Sequence, residues 1–540
     1  MLSSSNAKKP KEIFVLNGFF IGCGDPVWNA VVRGLISKGY AFDYISGVKS
    51  QIKGIEFGDN TIFHDYLDGV RGIRPEGFEF SEWALDAEIL EKYQDAEIAC
   101  LDVSDRMDKG YSFSYQERLR LYLSVLGFWL FMVDRYKPKF IIFPQTPHQV
   151  IDLALYHVAK KNDIKTFMIL PIVALKMMLP ISEIEHPTKD VAQTYQGYLD
   201  SPDAKCSISS YHAEYLQRHK GVYQNAMPEY LKQRLDKEGP ENISTSLYFW
   251  NKVIEFKQYS HYLGVVFSSI IAKVHWAKSF IFGNPPANYL KRPDEPLEKS
   301  YISGFEYNIY KLRARWYKER LKKQYNIFVS DLDVNKNYIY IPLQYQPERT
   351  SSPEGGRYSN QLLMIKLVSS LLPKNWEIVV KENPSQLLPN TVHGERGRYS
   401  YYYSDLIDIP HVRVVSLDTS QFELIDNCCA VATLTGTTGW EACVRGKPVM
   451  AFGYAWYSGC EGVFRVNNRS ECKAAINEIV GGVKLDQKKV RFFLSALEHH
   501  SFEGYPNVKI SAGASGGIKN NTANILEMLE VFLTSVGKNK

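Results

Sequence analysis

The hydrophobic pattern divides the chain into three stretches with different rhythms. From Glu12 to about His186, short apolar runs alternate with amphipathic ones. Ile13–Leu16 is predicted as a strand, Asn17–Pro26 as a Gly-rich turn, Val27–Lys38 as a helix and Ala41–Ile45 as a second strand. Ser114-Tyr115-Gln116-Glu117 reads as a capping box opening a helix that runs to Tyr136. Phe140–Phe143 is continuously apolar, as expected of a parallel strand covered on both faces. Pro147–Lys161 follows as a helix and Thr166–Leu170 as a strand. The middle, about 190 to 330, is helical, Tyr-rich and basic in patches, with a break at Gly283-Asn284-Pro285-Pro286.

The βα rhythm resumes near Asn337. Strands are predicted at Tyr338–Leu343, Trp376–Val380, Val412–Val415, Ala430–Leu434 and Pro448–Phe452. Helices are predicted at Asn360–Leu372, Phe422–Asn427, Gly439–Arg445 and, in the tail, Lys519–Leu533. The fold class is therefore α/β, with two Rossmann-like domains facing a cleft and a helical middle insertion. The expected divisions are a flexible tail over 1–11, an N-terminal domain over 12–190, the insertion over 191–335, a C-terminal domain over 336–515, and a helix and tail over 516–540.

Composition changes this picture little. At 540 residues the chain is too long for one ordinary core. Its net charge of +5 is too small to suggest nucleic acid as a partner. The eight cysteines form no CxxC pair and no metal-ligand spacing, so reduced thiols and no metal site are expected. No secretory signal is visible, and the apolar stretch Leu121–Val133 is too short to span a bilayer. A cytoplasmic protein is the expectation. Lys311–Lys323 carries seven basic residues in thirteen. Two readings stay open for it: a solvated helix face, or contact with an anionic membrane surface or acceptor.

Candidate chemistry gathers where strands end. Thr435-Gly436-Thr437-Thr438-Gly439-Trp440-Glu441 leaves a strand, turns on two glycines and starts a helix. Unpaired N–H groups there favour an anion such as a diphosphate. The same residues also fit a capping box, with Glu441 folding back on Thr438. Lys381, Asn383 and Ser385 follow the strand Trp376–Val380 and are candidates for phosphate contact, or for a plain polar turn. Gln344, Gln346 and Glu348 follow the strand at 338, in a loop reaching Gly355-Gly356 that could close over a ligand or be an ordinary turn.

In the N-terminal half, Thr146-Pro147-His148-Gln149 is a second capping pattern. It places His148 in a first helical turn, where the helix dipole favours neutral imidazole, the form a general base needs. Asp152, four residues on, could orient it. Asp25, in the Gly-rich segment Asn17–Asp25, is a second candidate base. Each also has a structural reading, as cap or turn residue. There is no GxxxxGK[ST] and no HExxH.

These pieces resemble a known family. Tyr338 to Val463 is similar to the capsule polysaccharide synthesis family, which includes Kdo transferases. The resemblance rests on Gln344-Tyr345-Gln346-Pro347-Glu348, Lys381-Glu382-Asn383-Pro384, Thr435-Gly436-Thr437-Thr438-Gly439-Trp440-Glu441-Ala442 and Gly446-Lys447-Pro448-Val449. Phe143-Pro144-Gln145-Thr146-Pro147-His148 resembles the N-terminal half of some relatives. The resemblance implies a GT-B glycosyltransferase that works without a metal or other cofactor. Its substrates would be a nucleotide sugar, held by the C-terminal loops, and a glycan or glycolipid acceptor, held by the N-terminal domain. Peripheral contact with the inner membrane and with polysaccharide assembly proteins is also implied. Many relatives have His-Pro where this chain has Asn383-Pro384, so the phosphate-binding His of a CMP-sugar site is missing. UDP, GDP and dTDP donors stay open. A nucleotide-sugar 2-epimerase and a non-catalytic assembly protein are the alternative functions.

Overall fold

The computed structural model describes the chain except for residues 1–13, 16–17, 53–54, 80–82, 109–112, 202–205, 223–303, 334, 389–392, 507–516 and 538–540. Most of the expected insertion, including its Gly-Asn-Pro-Pro break, lies outside the described residues.

Two parallel-rich sheets form the body. The C-terminal sheet runs Val412–Val414, Glu377–Lys381, Tyr338–Pro342, Ala430–Thr433, Val449–Ala451, Val463–Arg465, all parallel. Numbered by appearance in the chain, this is the order 3-2-1-4-5-6 of a doubly wound fold. The N-terminal sheet repeats that order with Ile62–Asp65, Tyr44–Gly47, Gly18–Cys23, Phe140–Ile142, Lys165–Ile172 and Met177–Ile181, the last antiparallel. In this order the connections leave in opposite directions from the first and fourth strands, which opens a crevice at their carboxyl ends. The crevice falls between Pro342 and Thr433 in one sheet, and between Cys23 and Ile142 in the other.

The long helix Tyr115–Tyr136 starts on the expected Ser114–Glu117 capping box and buries Leu121, Val125, Phe128, Trp129 and Met132. Among the described residues, no helix is long and apolar enough to cross a membrane.

Three expectations are corrected. The Gly-rich segment before Asp25 is not a turn but the central strand Gly18–Cys23. Gly18 is required because a Cβ there would meet the Phe140 ring at 2.2 Å. Phe14–Val15 instead pairs separately with Tyr40–Ala41. The helix expected from Pro147 begins at Val150, capped by Gln149 and Asp152 rather than Thr146 and Gln149.

The third correction concerns where the C-terminal part goes. The helix Gln487–His500 packs on Lys189–Asp200, and Phe502–Glu503 pairs with Met177–Ile181 of the N-terminal sheet. The tail helix Gly517–Gly537 buries Ile525, Met528, Leu529 and Leu533 against Val27, Trp28 and Val31. The chain thus leaves the C-terminal domain well before residue 515. Local periodicity marks these helices but not the sheet that receives them.

Candidate functional site

The carboxyl-end crevice of the C-terminal sheet contains the Thr435–Gly439 turn. The helix there is Thr437–Val444 with Gly436 as its N-cap, and no side chain caps it by a hydrogen bond. The capping-box reading of Thr438 and Glu441 is therefore corrected: Glu441 does not fold back. Its buried carboxylate accepts from the Gln421 side-chain amide. Burial pushes the Glu441 carboxyl up from 4.5 to about 7, while Gln421 and Arg445 oppose that rise.

Gln344 stands across the crevice. With its amide oriented to suit its neighbours, its oxygen accepts from the N–H groups of Gly436 and Thr435 (3.2 Å for Thr435). It therefore occupies the first backbone donors of the turn. Thr437, exposed, and Thr438, nearly buried, follow at the helix start. Gly436 must be small, since a Cβ would meet Gln344 at 2.8 Å and the Thr433 hydroxyl at 3.0 Å. Gly439 must be small too, because Tyr457, whose hydroxyl donates to the Gly436 carbonyl at 2.6 Å, would lie 2.2 Å from its Cβ.

The loop after Gln344 is packed onto this turn. The Thr435 hydroxyl donates to the Thr350 carbonyl at 2.7 Å, and Glu348 receives the Thr350 hydroxyl at 3.1 Å. Tyr454 N–H donates to the Glu354 carbonyl at 2.8 Å. Gln346 faces inward. Its backbone N–H and carbonyl pair with the Gln386 carboxamide at 2.9 Å each, and its side-chain oxygen accepts from Gln361 and Arg398 at 2.8 Å each. It supports the crevice wall.

Behind that wall lies a feature the sequence did not suggest. Glu382 and Arg398, both fully buried, form a two-bond ion pair at 2.7 and 2.9 Å. Arg398 also donates to the Gln344 carbonyl at 3.1 Å and stacks over Tyr402. Glu382 also accepts from Tyr403 at 2.8 Å and from Asn383 N–H at 2.7 Å. Glu382 belongs to a quoted motif, but nothing near Arg398 in sequence marked it. Gln421 was missed for the same reason.

Lys381, Asn383 and Ser385 lie at the next strand end. The Lys381 ammonium donates to the Thr419 carbonyl at 2.5 Å, and burial lowers it to about 8. Asn383 caps the short helix Pro384–Leu387 by accepting from Ser385 N–H at 2.9 Å. Lys381 and Asn383 thus serve local turns.

The N-terminal crevice faces the 348–356 loop. Arg106 donates to the His148 carbonyl on its own side and to the Ser352 carbonyl, at 3.4 Å, on the other. His148 donates from Nδ1 to the Thr146 carbonyl at 2.8 Å, which leaves Nε2 as the basic nitrogen. Burial, then Arg106 and Arg349, lower its pKa to about 3, so it is neutral. Asp152 does not orient His148 as expected. It closes the capping box, accepting from Gln149 N–H at 2.7 Å, and burial raises it to about 6. Asp25 is the N-cap of Pro26–Ser37, accepting from Val27 N–H at 2.9 Å. Gly22, at φ +86°, lies against Pro144, so the Asp25 and His148 loops adjoin.

Against known proteins the first result concerns this C-terminal half. Residues 258–475 match the family described as capsule polysaccharide biosynthesis protein. That range holds every residue of the C-terminal crevice named above. No curated protein sequence matches the chain. Among solved structures, KpsC of Thermosulfurimonas dismutans, a beta Kdo 2,7 transferase, is 18% identical, with 34% of this chain and 62% of that one covered and a TM-score of 0.19. Its beta Kdo 2,4 transferase is 15% identical, with 34% and 54% covered and a TM-score of 0.22. The chain thus spans less than two thirds of those KpsC chains. The UDP-GlcNAc 2-epimerase of Methanocaldococcus jannaschii is 11% identical, with 90% and 100% covered and a TM-score of 0.22.

Two outcomes follow from the buried groups. Arg398→Ala leaves Glu382 charged and unpaired, and should cost about 3–5 kcal/mol in urea unfolding. Removing both partners together should cost less than the sum of the two single losses. For Glu441, the folded state holds its proton up to about pH 7 while the unfolded chain releases it near 4.5. The stability it contributes is therefore full below 4.5 and is lost as pH rises through 7. Between about pH 5 and about pH 8, wild type should lose on the order of 1–3 kcal/mol relative to Glu441→Gln, read from urea midpoints.

Proposed function

We propose that the chain is a glycosyltransferase that moves a sugar from a nucleotide-activated donor to a growing, lipid-linked capsule or lipopolysaccharide glycan. The observation that carries this reading is the uncapped helix start at Thr437, in the sheet crevice of the region that matches the capsule family. A donor diphosphate is the ligand that such a start suits.

In this reading the Thr437 and Thr438 N–H groups and hydroxyls hold the diphosphate. Gln344 fixes the turn by occupying the donors before them. Glu441 binds a donor hydroxyl, with Gln421 setting its carboxylate. The N-terminal crevice holds the acceptor. His148 Nε2 takes the acceptor hydroxyl proton as that oxygen bonds to the sugar carbon. The bond from that carbon to the diphosphate breaks, and its electrons go to the phosphate oxygen. Burial, with Arg106 and Arg349, keeps the imidazole neutral at physiological pH, and the same effects make it a weak base that depends on the incoming acceptor to hold the proton. Asp25 is the weaker base, since its carboxylate already caps a helix. Movement between the two halves would exclude water and limit donor hydrolysis. The reaction would take place at the cytoplasmic face of the inner membrane.

A thermal-shift panel of CMP, UDP, GDP and dTDP should single out one nucleotide. The Thr437→Ala/Thr438→Ala variant should stay folded and bind that nucleotide at least about tenfold more weakly. Unchanged affinity would remove the two hydroxyls from the donor site, and conversion of a free nucleotide sugar without acceptor would favour a 2-epimerase. His148→Ala should lower kcat by about 10²–10⁴ with little change in donor affinity. An unaltered kcat removes His148 from the chemistry.

A further inference from the structure

The helix Gly304–Ile327 carries seven basic and two acidic residues, a net +5 that equals the net charge of the whole chain. One face is structural. Lys318, Leu321 and Tyr325 are buried, and Tyr325 donates to the Val415 carbonyl at 2.6 Å while accepting from Glu382 N–H at 3.1 Å. The helix is thus fastened directly behind the donor crevice.

The opposite face is the unusual one. Leu312, Trp316 and Ile327 are 46%, 66% and 75% exposed. Their spacing, four and then eleven residues, keeps them within a narrow angular band on an α-helix. Arg313 and Arg320 border this row on one side and Lys311 and Lys322 on the other, with Lys323 in line with it. Among the described residues, no carboxylate forms an ion pair with Arg313, Arg320, Lys322 or Lys323. A solvated charged face would not display a tryptophan, a leucine and an isoleucine in line. An anionic polymer would need the cations but not that row. Cations flanking an exposed row of Trp and Leu suit the surface of an anionic bilayer, where the row enters the acyl boundary and the cations meet the headgroups.

We propose that this helix docks the protein on an anionic phospholipid surface, with Leu312 and Trp316 inserted and Arg313, Arg320, Lys322 and Lys323 on the headgroups. Docking there would hold the donor domain against the membrane. It does not rest on glycosyl transfer, since it is measured with no sugar present.

The test is co-sedimentation of the full chain with vesicles of phosphatidylcholine alone or mixed with phosphatidylglycerol. Binding should require phosphatidylglycerol and weaken with salt. Leu312→Ser/Trp316→Ser and, separately, Arg313→Gln/Arg320→Gln/Lys323→Gln should each lower it at least about tenfold. These side chains are on the surface, so thermal midpoints should not change. No binding to the mixed vesicles overturns the proposal. So does binding that survives the Leu312/Trp316 change. If dextran sulfate, a soluble anionic glycan, binds as tightly as the mixed vesicles and only the charge variant weakens either, the helix is an anionic-glycan site instead.

Discussion

The buried pair of Glu382 and Arg398 is the constraint on which the C-terminal crevice depends. Neither charge reaches water, so each must be satisfied by fixed partners. Arg398 meets that need with the Glu382 carboxylate, the Gln346 side chain and the Gln344 carbonyl. Those bonds set the backbone of the segment from Gln344 to Gln346. Gln344 in turn sets the first N–H groups of the Thr435–Gly436 turn. A single ion pair therefore reaches the helix start through two steps. Replacing it with apolar side chains could keep the fold while loosening the crevice, because hydrophobic packing does not specify where a carbonyl points.

The two halves use one strand order, and both place their polar loops at the point where that order reverses. The strand ends at Cys23 and Ile142 carry Asp25 and His148, and those at Pro342 and Thr433 carry Gln344 and Thr437. Arg106 joins the two sides by reaching the His148 and Ser352 carbonyls. The 348–356 loop, packed on the Thr435 turn, is what the N-terminal crevice faces. The C-terminal helices complete the arrangement by returning to the first sheet.

Much of this was legible in the sequence. Continuous apolar runs marked the buried strands, and Ser114 with Glu117 marked the long helix. The glycines around Thr437 marked the helix start. What failed did so for physical reasons. The glycines of Gly18–Cys23 suggested a turn, but Gly18 is there to make room for the Phe140 ring across the sheet. Asp152 sat at the right spacing to face His148, yet its carboxylate went to the backbone N–H groups nearest to it. Arg398 and Gln421 could not be found because their partners, Glu382 and Glu441, lie 16 and 20 residues away, beyond the reach of any local pattern. Glu441 fitted a local cap, but Gln421 competes for it and wins.

The account's central claim is that the helix start at Thr437 holds the donor diphosphate through backbone N–H groups. Thr437→Pro tests it most directly. Thr437 is the first helical residue, where proline fits, and Gly436 before it has the extended conformation that proline requires (φ −61°, ψ 144°). The change deletes one N–H and leaves the helix intact. The variant should melt at an unchanged Tm, and isothermal titration with the preferred nucleoside diphosphate should show a loss of affinity of about tenfold or more. Undiminished affinity in the folded variant would contradict the claim.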